Sequence, residues 1–273
     1  MYNENNTNDE GGLLMTQNEC RRFLIEALLA EDSAHEAITI PAQSDDQRRL
    51  LRALMNVRPA APLPDDVLQV QDEYLRREIA AKGITRLDCL EPVQPGLYLW
   101  QGDITTLAVD AIVNAANSGM TGCYMPNHGC IDNAIHTFAG MQLRFECDRI
   151  MKAQGHLEPT GQAKITSAYN LPSRYILHTV GPIVHGSLTA ADEDQLASCY
   201  CSCLALADAH GLESVAFCCI STGEFHFPND RAAEIAVATV RETLATATHV
   251  KNVVFNVFKD LDYAIYDELL SEA

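Results

Sequence analysis

The sequence predicts an α/β fold in which helices cover a buried, largely parallel sheet. Two observations indicate it. From about Leu97 onward, short apolar segments rich in β-branched residues alternate with longer helical stretches. Each apolar segment is nearly continuous in hydrophobic residues, as expected for a strand that is buried on both faces. The chain before this point shows helical patterns, so a helical region is expected to precede the sheet.

The N-terminal third predicts a polar tail followed by helices. Residues 1–14 are polar and acidic and are expected to be disordered. Residues 44–57, SDDQRRLLRALMNV, open with two aspartates that complement a helix dipole, and residues 64–83 form an amphipathic pattern that ends at a glycine. We therefore divide the chain into a tail at 1–14, a helical region at 15–92 and a sheet-containing domain at 93–273.

The expected strands and helices of the second part place polar residues at one edge of the sheet. The strand segments are LYLWQGDIT, VDAIVNAAN, QAKITSAYNLP, RYILHTVGP, SVAFCCISTG and NVVFNVFKD. The helical segments between them span residues 132–155, 193–211 and 229–247. Sheets of this kind bind ligands at the carboxyl ends of their strands. Small and polar residues stand at those ends, namely Asp103, Asn114, Asn117 and 221–223.

Charge and hydropathy exclude several classes of partner. Nineteen basic and 37 acidic side chains give a net charge of −18, which argues against nucleic acid because phosphate binding needs a basic face. An anionic ligand would be held by backbone N–H groups and helix N-termini. No apolar run approaches the ~18 residues that span a bilayer, and the N-terminal stretch lacks the pattern of a signal peptide. We expect no nucleic-acid or membrane partner and a cytoplasmic location.

A cluster of soft metal ligands lies in the segment TGCYMPNHGC, residues 121–130, which we name the ligand loop. Cys123, His128 and Cys130 follow a C-x4-H-x-C spacing. Two thiolates and an imidazole suit Zn²⁺, and three protein ligands leave one tetrahedral position open, which favours a catalytic ion over a structural one. The alternative is that two loop cysteines and an unrelated histidine share this segment.

The motifs GDIT, VDAIVNAAN, IDNAIH and STGEFHFP occur in this order from about Tyr98 to the C-terminus. Together they resemble the macrodomain family of ADP-ribose-binding folds. The ligand loop in place of the usual glycine-rich loop, together with the helical N-terminal third, resembles one branch of it: the zinc-dependent macrodomain protein-ADP-ribose hydrolases of microbes. The resemblance implies a three-layer α/β/α sandwich with a helical N-terminal extension, and one Zn²⁺ per chain held by Cys123, His128 and Cys130.

The resemblance also implies where ADP-ribose binds. Asp103 is expected to accept a hydrogen bond from the adenine amino group, with Ile104 contributing its backbone, although Asp103 also suits a turn or cap. Phe258 is expected either to stack on adenine or to lie in the core. Backbone N–H groups are expected to hold the pyrophosphate, and they belong to Ser221, Thr222, Gly223, Glu224 and Phe225.

The distal ribose is expected to lie against Asn117 and the segment formed by Cys130, Ile131 and Asp132. Asn117 and Asp132 are the candidate catalytic residues. Asp132 can act as a general base or position a water; alternatively, it only complements the dipole of the helix that it opens. His136 and His178 fall on apolar faces and are interpreted as core histidines.

The predicted activity is removal of mono-ADP-ribose from protein side chains, a glycosidase-type hydrolysis that uses the zinc-containing loop. The expected partners are ADP-ribose and a mono-ADP-ribosylated protein. Zinc either activates a water or polarises a ribose hydroxyl, and the sequence leaves this choice open. The alternative function is a reader module that binds ADP-ribose without cleaving it and uses zinc as a structural staple.

Overall fold

The structure is a computed structural model that describes residues 15–35 and 37–271, so the predicted tail at 1–14 lies outside it. The α-helices are α1 (Gln17–Ala30), α2 (Ser44–Val57), α3 (Asp65–Lys82), α4 (Ile131–Ala139), α5 (Met141–Gln154), α6 (Ala190–Ala209), α7 (Asn229–Leu244) and α8 (Asp260–Ser271). The strands are β1 (Thr85–Arg86), β2 (Leu97–Gln101), β3 (Leu107–Ala108), β4 (Ala111–Ala116), β5 (Ala163–Ser167), β6 (Tyr175–Val180), β7 (Ser214–Phe217) and β8 (Asn252–Val257). In this described part, no helix is long and apolar enough to cross a membrane.

The central sheet has six strands in the order β2-β8-β7-β4-β6-β5. β5 pairs with β6 in antiparallel fashion, and the other neighbouring pairs are parallel. The inner strands β4, β7 and β8 are buried along almost their whole length because helices cover the sheet. One group of helices is α4 with α5, and the other is α6 with α7 and α8. The predicted α/β sandwich with a largely parallel sheet is confirmed.

One stretch predicted as a single helical segment, residues 132–155, is two helices. α4 ends before Gly140, which has a φ of 106°, and α5 begins at Met141. A Cβ at Gly140 would lie 2.5 Å from Oε1 of Gln142. The N–H of Met141 donates to Oε1 of Gln71 in α3 at 2.9 Å. The break therefore accompanies packing against α3, which a local pattern of apolar residues does not reveal.

The hydrophobic core consists of two clusters that share side chains. The main cluster lies between the sheet and the helices around it. The second is formed by α1, α2 and α3 and includes Leu24, Leu51 and Tyr74, and Met141 of α5 completes it. Phe138 of α4 packs against both clusters. The N-terminal helices thus enclose a core of their own that continues into the helices beside the sheet.

A small parallel sheet also joins the two parts of the chain. β1 pairs with β3, and Thr85 lies opposite Leu107 in the register. β1 belongs to the expected helical region at 15–92, whereas β3 belongs to the expected domain at 93–273. The boundary between those two regions stays a prediction.

Leu24→Ala tests how much the N-terminal cluster contributes to stability. Leu24 is fully buried, so we expect the free energy of unfolding to fall by about 2–5 kcal/mol. Leu157→Ala is the control, because Leu157 is 66% exposed and its loss should cost less than about 0.5 kcal/mol. Urea unfolding followed by circular dichroism measures both, and equal losses would contradict the expectation.

Candidate functional site

Four parallel strands carry the predicted site residues at one edge of the sheet. Asn117 follows β4 and leads into the ligand loop, 121–130, and the segment 221–225 comes after β7. Asp103 follows β2 and Phe258 follows β8. Because these strands are neighbours in the order β2-β8-β7-β4, the four segments lie side by side at their carboxyl ends.

The three predicted zinc ligands converge. Cys123, His128 and Cys130 offer ligand atoms that all lie within 4.8 Å of one another, and each residue is partly buried. The Sγ of Cys123 is 3.6 Å from Nδ1 of His128. A tetrahedral Zn²⁺ with bonds of about 2.3 Å to sulfur and about 2.0 Å to nitrogen separates its ligands by about 3.5–3.8 Å. The donor set therefore fits this ion in type, and the separation of Cys123 and His128 matches the expected spacing.

The other ring nitrogen of His128 faces the segment 221–225. Its Nε2 lies 3.5 Å from Oε1 of Glu224, while its Nδ1 faces Cys123. A carboxylate beside the second nitrogen fixes the tautomer and orientation of a metal-binding histidine. Glu224 therefore links the ligand loop to the segment predicted to hold the pyrophosphate.

Two residues of the ligand loop have positive φ angles, in the left-handed region of backbone conformations. Gly122 has a φ of 82° and Asn127 a φ of 55°, and asparagine tolerates this region better than most side chains. A Cβ at Gly122 would lie 2.7 Å from Cγ of His136. The loop backbone thus packs directly on that imidazole ring, which leaves no room for a side chain at Gly122.

Side chains from other helices hold the loop backbone, and the sequence patterns do not predict them. Arg52 and Asn56 of α2, together with Arg144 of α5, make hydrogen bonds to backbone groups of residues 123–128. α2 reads as an ordinary amphipathic helix, and its pattern does not distinguish Arg52 from its arginine neighbours. These contacts depend on how α2 packs on α4, and no local signal in the sequence carries that information.

Asp132 lies in the first turn of α4 and is only 5% exposed. Its Oδ1 accepts a hydrogen bond from Asn114 at 2.8 Å, and its Oδ2 accepts one from Asn117 at 3.3 Å. Burial raises the pKa of Asp132 to about 6, against the lowering effects of Asn114, Arg144 and Asn117. The carboxyl group is therefore held in one orientation with a pKa near neutrality, as a general base requires.

Asn117 organises the start of the ligand loop. Its Oδ1 accepts a hydrogen bond from the N–H of Gly119 at 2.9 Å, and its Nδ2 donates to the carbonyl oxygen of Gly122 at 3.2 Å. The same Nδ2 donates to Asp132. The two predicted catalytic residues are thus in direct contact, and Asn117 ties Asp132 to the loop.

His136 and His178 are 4% and 0% exposed, as expected for core histidines. Nε2 of His136 lies 3.5 Å from Oδ1 of Asp132, and His178 belongs to a polar network below Asp132. Asn114 donates to Nδ1 of His178 at 3.1 Å, and Nε2 of His178 lies 2.9 Å from Oγ1 of Thr166. Burial lowers the pKa of His178 to about 3, and burial with the nearby His178 and Arg144 lowers that of His136. Burial therefore favours the neutral form of both rings.

The segment 221–225 presents unused backbone donors. Its ends are fixed, because Phe227 donates to the carbonyl oxygen of Ser221 at 3.0 Å and Val184 to that of Phe225 at 2.9 Å. Ser221 itself has a φ of 64°. Within the described chain, the N–H groups of residues 222–225 have no acceptor. Such a row of free N–H groups suits an anion such as a pyrophosphate.

Asp103 is a cap that also carries an ion pair. Its Oδ1 accepts a hydrogen bond from the N–H of Thr105 at 3.0 Å, and its Oδ2 lies 2.8 Å from Nζ of Lys82 in α3. Burial raises the pKa of Asp103, but the hydrogen bonds from Lys82 and Thr105 outweigh it and lower the value overall. Asp103 is thus a charged acceptor. Phe258 is 77% exposed, which excludes the core and leaves it free to stack on a ligand.

Comparison with known proteins identifies the family of this chain. The sequence model of the Macro domain family matches residues 113–236. A protein-ADP-ribose hydrolase of Treponema medium is 56% identical over 261 residues, which cover 94% of this chain and 100% of that protein. The chain belongs to the macrodomain family. A second relative of this macrodomain protein, a protein-ADP-ribose hydrolase of Staphylococcus aureus strain MSSA476, is 49% identical and covers 90% of the chain and 93% of its own length.

Solved macrodomains have the same fold. The Trypanosoma brucei macrodomain in complex with ADP-ribose superposes with a TM-score of 0.62 at 31% identity, covering 80% of this chain and 94% of its own. A macrodomain variant from Oceanobacillus iheyensis with ADPR gives a TM-score of 0.61 at 36% identity, covering 67% of this chain and 96% of its own. The fold of this macrodomain protein is thus shared with known ADP-ribose binders.

Gly122→Ala tests the packing of the ligand loop on His136. The added Cβ would lie 2.7 Å from the ring at a φ of 82°, so we expect a loss of at least about 1 kcal/mol in the free energy of unfolding. Gly129→Ala is the matched control in the same loop, since a Cβ there meets nothing within 4 Å. Thermal unfolding of both variants measures the difference. Equal melting temperatures would show that the loop does not depend on this contact.

Proposed function

We propose that this macrodomain protein hydrolyses the bond that joins mono-ADP-ribose to a protein side chain, with Zn²⁺ bound in the ligand loop. The observation that carries the proposal is the meeting of a three-ligand donor set, a buried carboxyl group and a row of free N–H groups at one edge of the sheet. The names of its relatives from Treponema medium and Staphylococcus aureus, protein-ADP-ribose hydrolase, support the same activity.

In this proposal, the nucleotide binds along the carboxyl ends of β2, β8 and β7. Asp103, with the backbone of Ile104, receives the adenine, and exposed Phe258 stacks against its ring. The N–H groups of residues 222–225 hold the pyrophosphate, because the segment 221–225 contains no lysine or arginine that could bind it. The distal ribose then lies beside Asn117 and the segment 130–132. The bond to be broken, which joins this ribose to the modified side chain, lies at the same place.

The metal would be held by Cys123, His128 and Cys130, with Glu224 orienting the histidine. A Zn²⁺ ion bound there would supply Lewis acidity, either to lower the pKa of a water to about 7 or to polarise a ribose hydroxyl. The protein side chains position the substrate and the general base. The segment 130–132 and Asn117 orient the ribose, and Asn114 and Asn117 hold the carboxyl group of Asp132.

Asp132 is the proposed general base. Hydrolysis breaks the bond from the anomeric carbon of the distal ribose to the side chain, and a water supplies the new oxygen. Asp132 takes one proton from that water and passes it to the departing side chain, which regenerates the carboxylate. Alternatively, Asp132 only holds the water in place, and the proton of the water goes to the side chain. The alternative role as a dipole complement accounts poorly for the geometry, because Cys130 caps α4 and both Asp132 oxygens accept amide hydrogen bonds.

Cys123→Ser tests the metal site. The purified full chain should contain about one Zn²⁺, as expected for one site with three protein ligands, and the variant should lose most of it. Cys201→Ser is the control because Cys201 is exposed on α6, away from the ligand loop. Metal analysis after gel filtration gives the result. A zinc content that Cys123→Ser leaves unchanged would rule out the proposed ligands.

Asp132→Asn tests catalysis separately from binding. If Asp132 handles a proton or orients the attacking water, turnover should slow by about 10²–10⁴-fold. The affinity for ADP-ribose should change little, because the adenine and pyrophosphate contacts lie elsewhere. Single-turnover release of ADP-ribose from a modified protein and a titration with ADP-ribose measure the two quantities.

The control for Asp132→Asn is Asp230→Asn, which removes an exposed acid from the first turn of α7. A dipole effect alone would cost each variant about 0.3–1 kcal/mol of stability and spare turnover. Unchanged turnover in Asp132→Asn would exclude the catalytic role. Tight ADP-ribose binding without any turnover by the zinc-loaded wild type, on several acceptor linkages, would instead identify a reader module.

A further inference from the structure

The ligand loop makes few hydrogen bonds of its own. Within the described chain, the backbone contact inside residues 121–130 runs from the N–H of His128 to the carbonyl oxygen of Met125 at 3.3 Å. Fixing the backbone of each residue costs about 1–2 kcal/mol in conformational entropy. A segment of this length therefore needs further contacts to hold three ligand atoms within 4.8 Å.

Two side chains of α2 supply such contacts. Arg52 donates from Nη2 to the carbonyl oxygen of His128 at 3.0 Å. Asn56 lies four residues later on the same face of the helix, and its Oδ1 accepts a hydrogen bond from the N–H of Asn127 at 2.9 Å. Two consecutive loop residues, one of them a proposed ligand, are thus fixed by a helix of the N-terminal region.

Arg52 also acts on the loop through Asn133 of α4. Its Nε and Nη2 donate to Oδ1 of Asn133 at 3.1 and 2.8 Å. Asn133 in turn donates from Nδ2 to the carbonyl oxygen of Met125 at 3.0 Å, and its N–H points to Sγ of Cys130 at 3.4 Å. Arg52 therefore orients the residue that contacts the second thiol.

These contacts depend on shape rather than on charge alone. Asn56 is 1% exposed and its Nδ2 also donates to Oγ1 of Thr137 at 3.0 Å, so its amide is fixed at both ends. The planar guanidinium of Arg52 spans the carbonyl oxygen of His128 and the amide of Asn133. A lysine has a single nitrogen at its tip and cannot reproduce this fork.

We infer that Arg52 and Asn56 are positioning residues of the hydrolase site, so that α2 holds the ligand loop in the shape that binds the metal. This inference rests on the proposed function, because it assigns the residues to the zinc site proposed above. Neither side chain needs to contact the substrate. Both act through the backbone of the loop and through Asn133.

The test is the Zn²⁺ affinity of the full chain, measured by competition with a chromophoric chelator. Arg52→Gln and Asn56→Ala should each bind Zn²⁺ about 10–100-fold more weakly than wild type, the loss typical of residues that orient metal ligands. After substitution with Co²⁺, the absorption bands of the thiolate–metal bonds should shift. With saturating Zn²⁺, kcat should fall while the Kd for ADP-ribose stays nearly unchanged.

Three control variants separate positioning from other effects. Arg49→Gln removes an exposed arginine of the same helix and should match the wild type in every readout. Arg52→Lys keeps the charge but should not restore Zn²⁺ affinity. Leu24→Ala destabilises the N-terminal cluster without touching the loop, and a folded sample should bind Zn²⁺ as the wild type does.

The outcomes distinguish this inference from the proposed function. If the wild type binds no Zn²⁺ or shows no turnover, the proposed function fails. If the wild type does both and Arg52→Gln and Asn56→Ala retain its Zn²⁺ affinity, only the positioning role is overturned. Full recovery by Arg52→Lys, or an equal loss of Zn²⁺ affinity in Leu24→Ala, would also overturn it.

Discussion

The candidate site depends on one constraint: the ligand loop is shaped by hydrogen bonds from helices that lie outside it. Cys123, His128 and Cys130 are close in sequence, yet a short loop with two residues in the left-handed region does not hold such a geometry by itself. The amide of Asn133 and the ring of His136 provide fixed surfaces on α4. The packing of the helices beside the loop therefore helps to bring its candidate ligand atoms together.

A network of buried polar side chains lies below Asp132. Both amide hydrogens of Asn114 are used, one on the carboxylate and one on His178. Burial favours the neutral form of His178 and His136, although Nε2 of His136 lies 3.5 Å from Asp132, and burial raises the pKa of Asp132 to about 6. A buried carboxylate without a cationic partner in hydrogen-bond contact is costly. Such a cost is expected where a group is kept for its reactivity rather than for stability.

Patterns that are local in sequence predicted much of this molecule. The alternation of strands and helices lies within short windows, so the sandwich could be predicted from it. The spacing of the three candidate ligands is equally local, and it predicted that these residues converge. Contacts between distant residues did not. Arg52 lies 76 residues from the carbonyl oxygen that it binds, and the break at Gly140 depends on Gln71 in another helix. The exposure of Phe258 likewise depends on how the end of β8 is covered, which its apolar context does not reveal.

The residues around the break between α4 and α5 connect the sheet domain to the N-terminal helices. Phe138 and Met141 stand on either side of it and contribute to the cluster of the N-terminal helices. Cutting the chain near residue 92 would expose both apolar side chains and separate β1 from β3. In this chain the N-terminal helices therefore do not pack as an independent unit, because their apolar cluster includes side chains from the helices beside the sheet. The two parts are expected to be inherited as a unit, with substitutions in one matched by changes in the other.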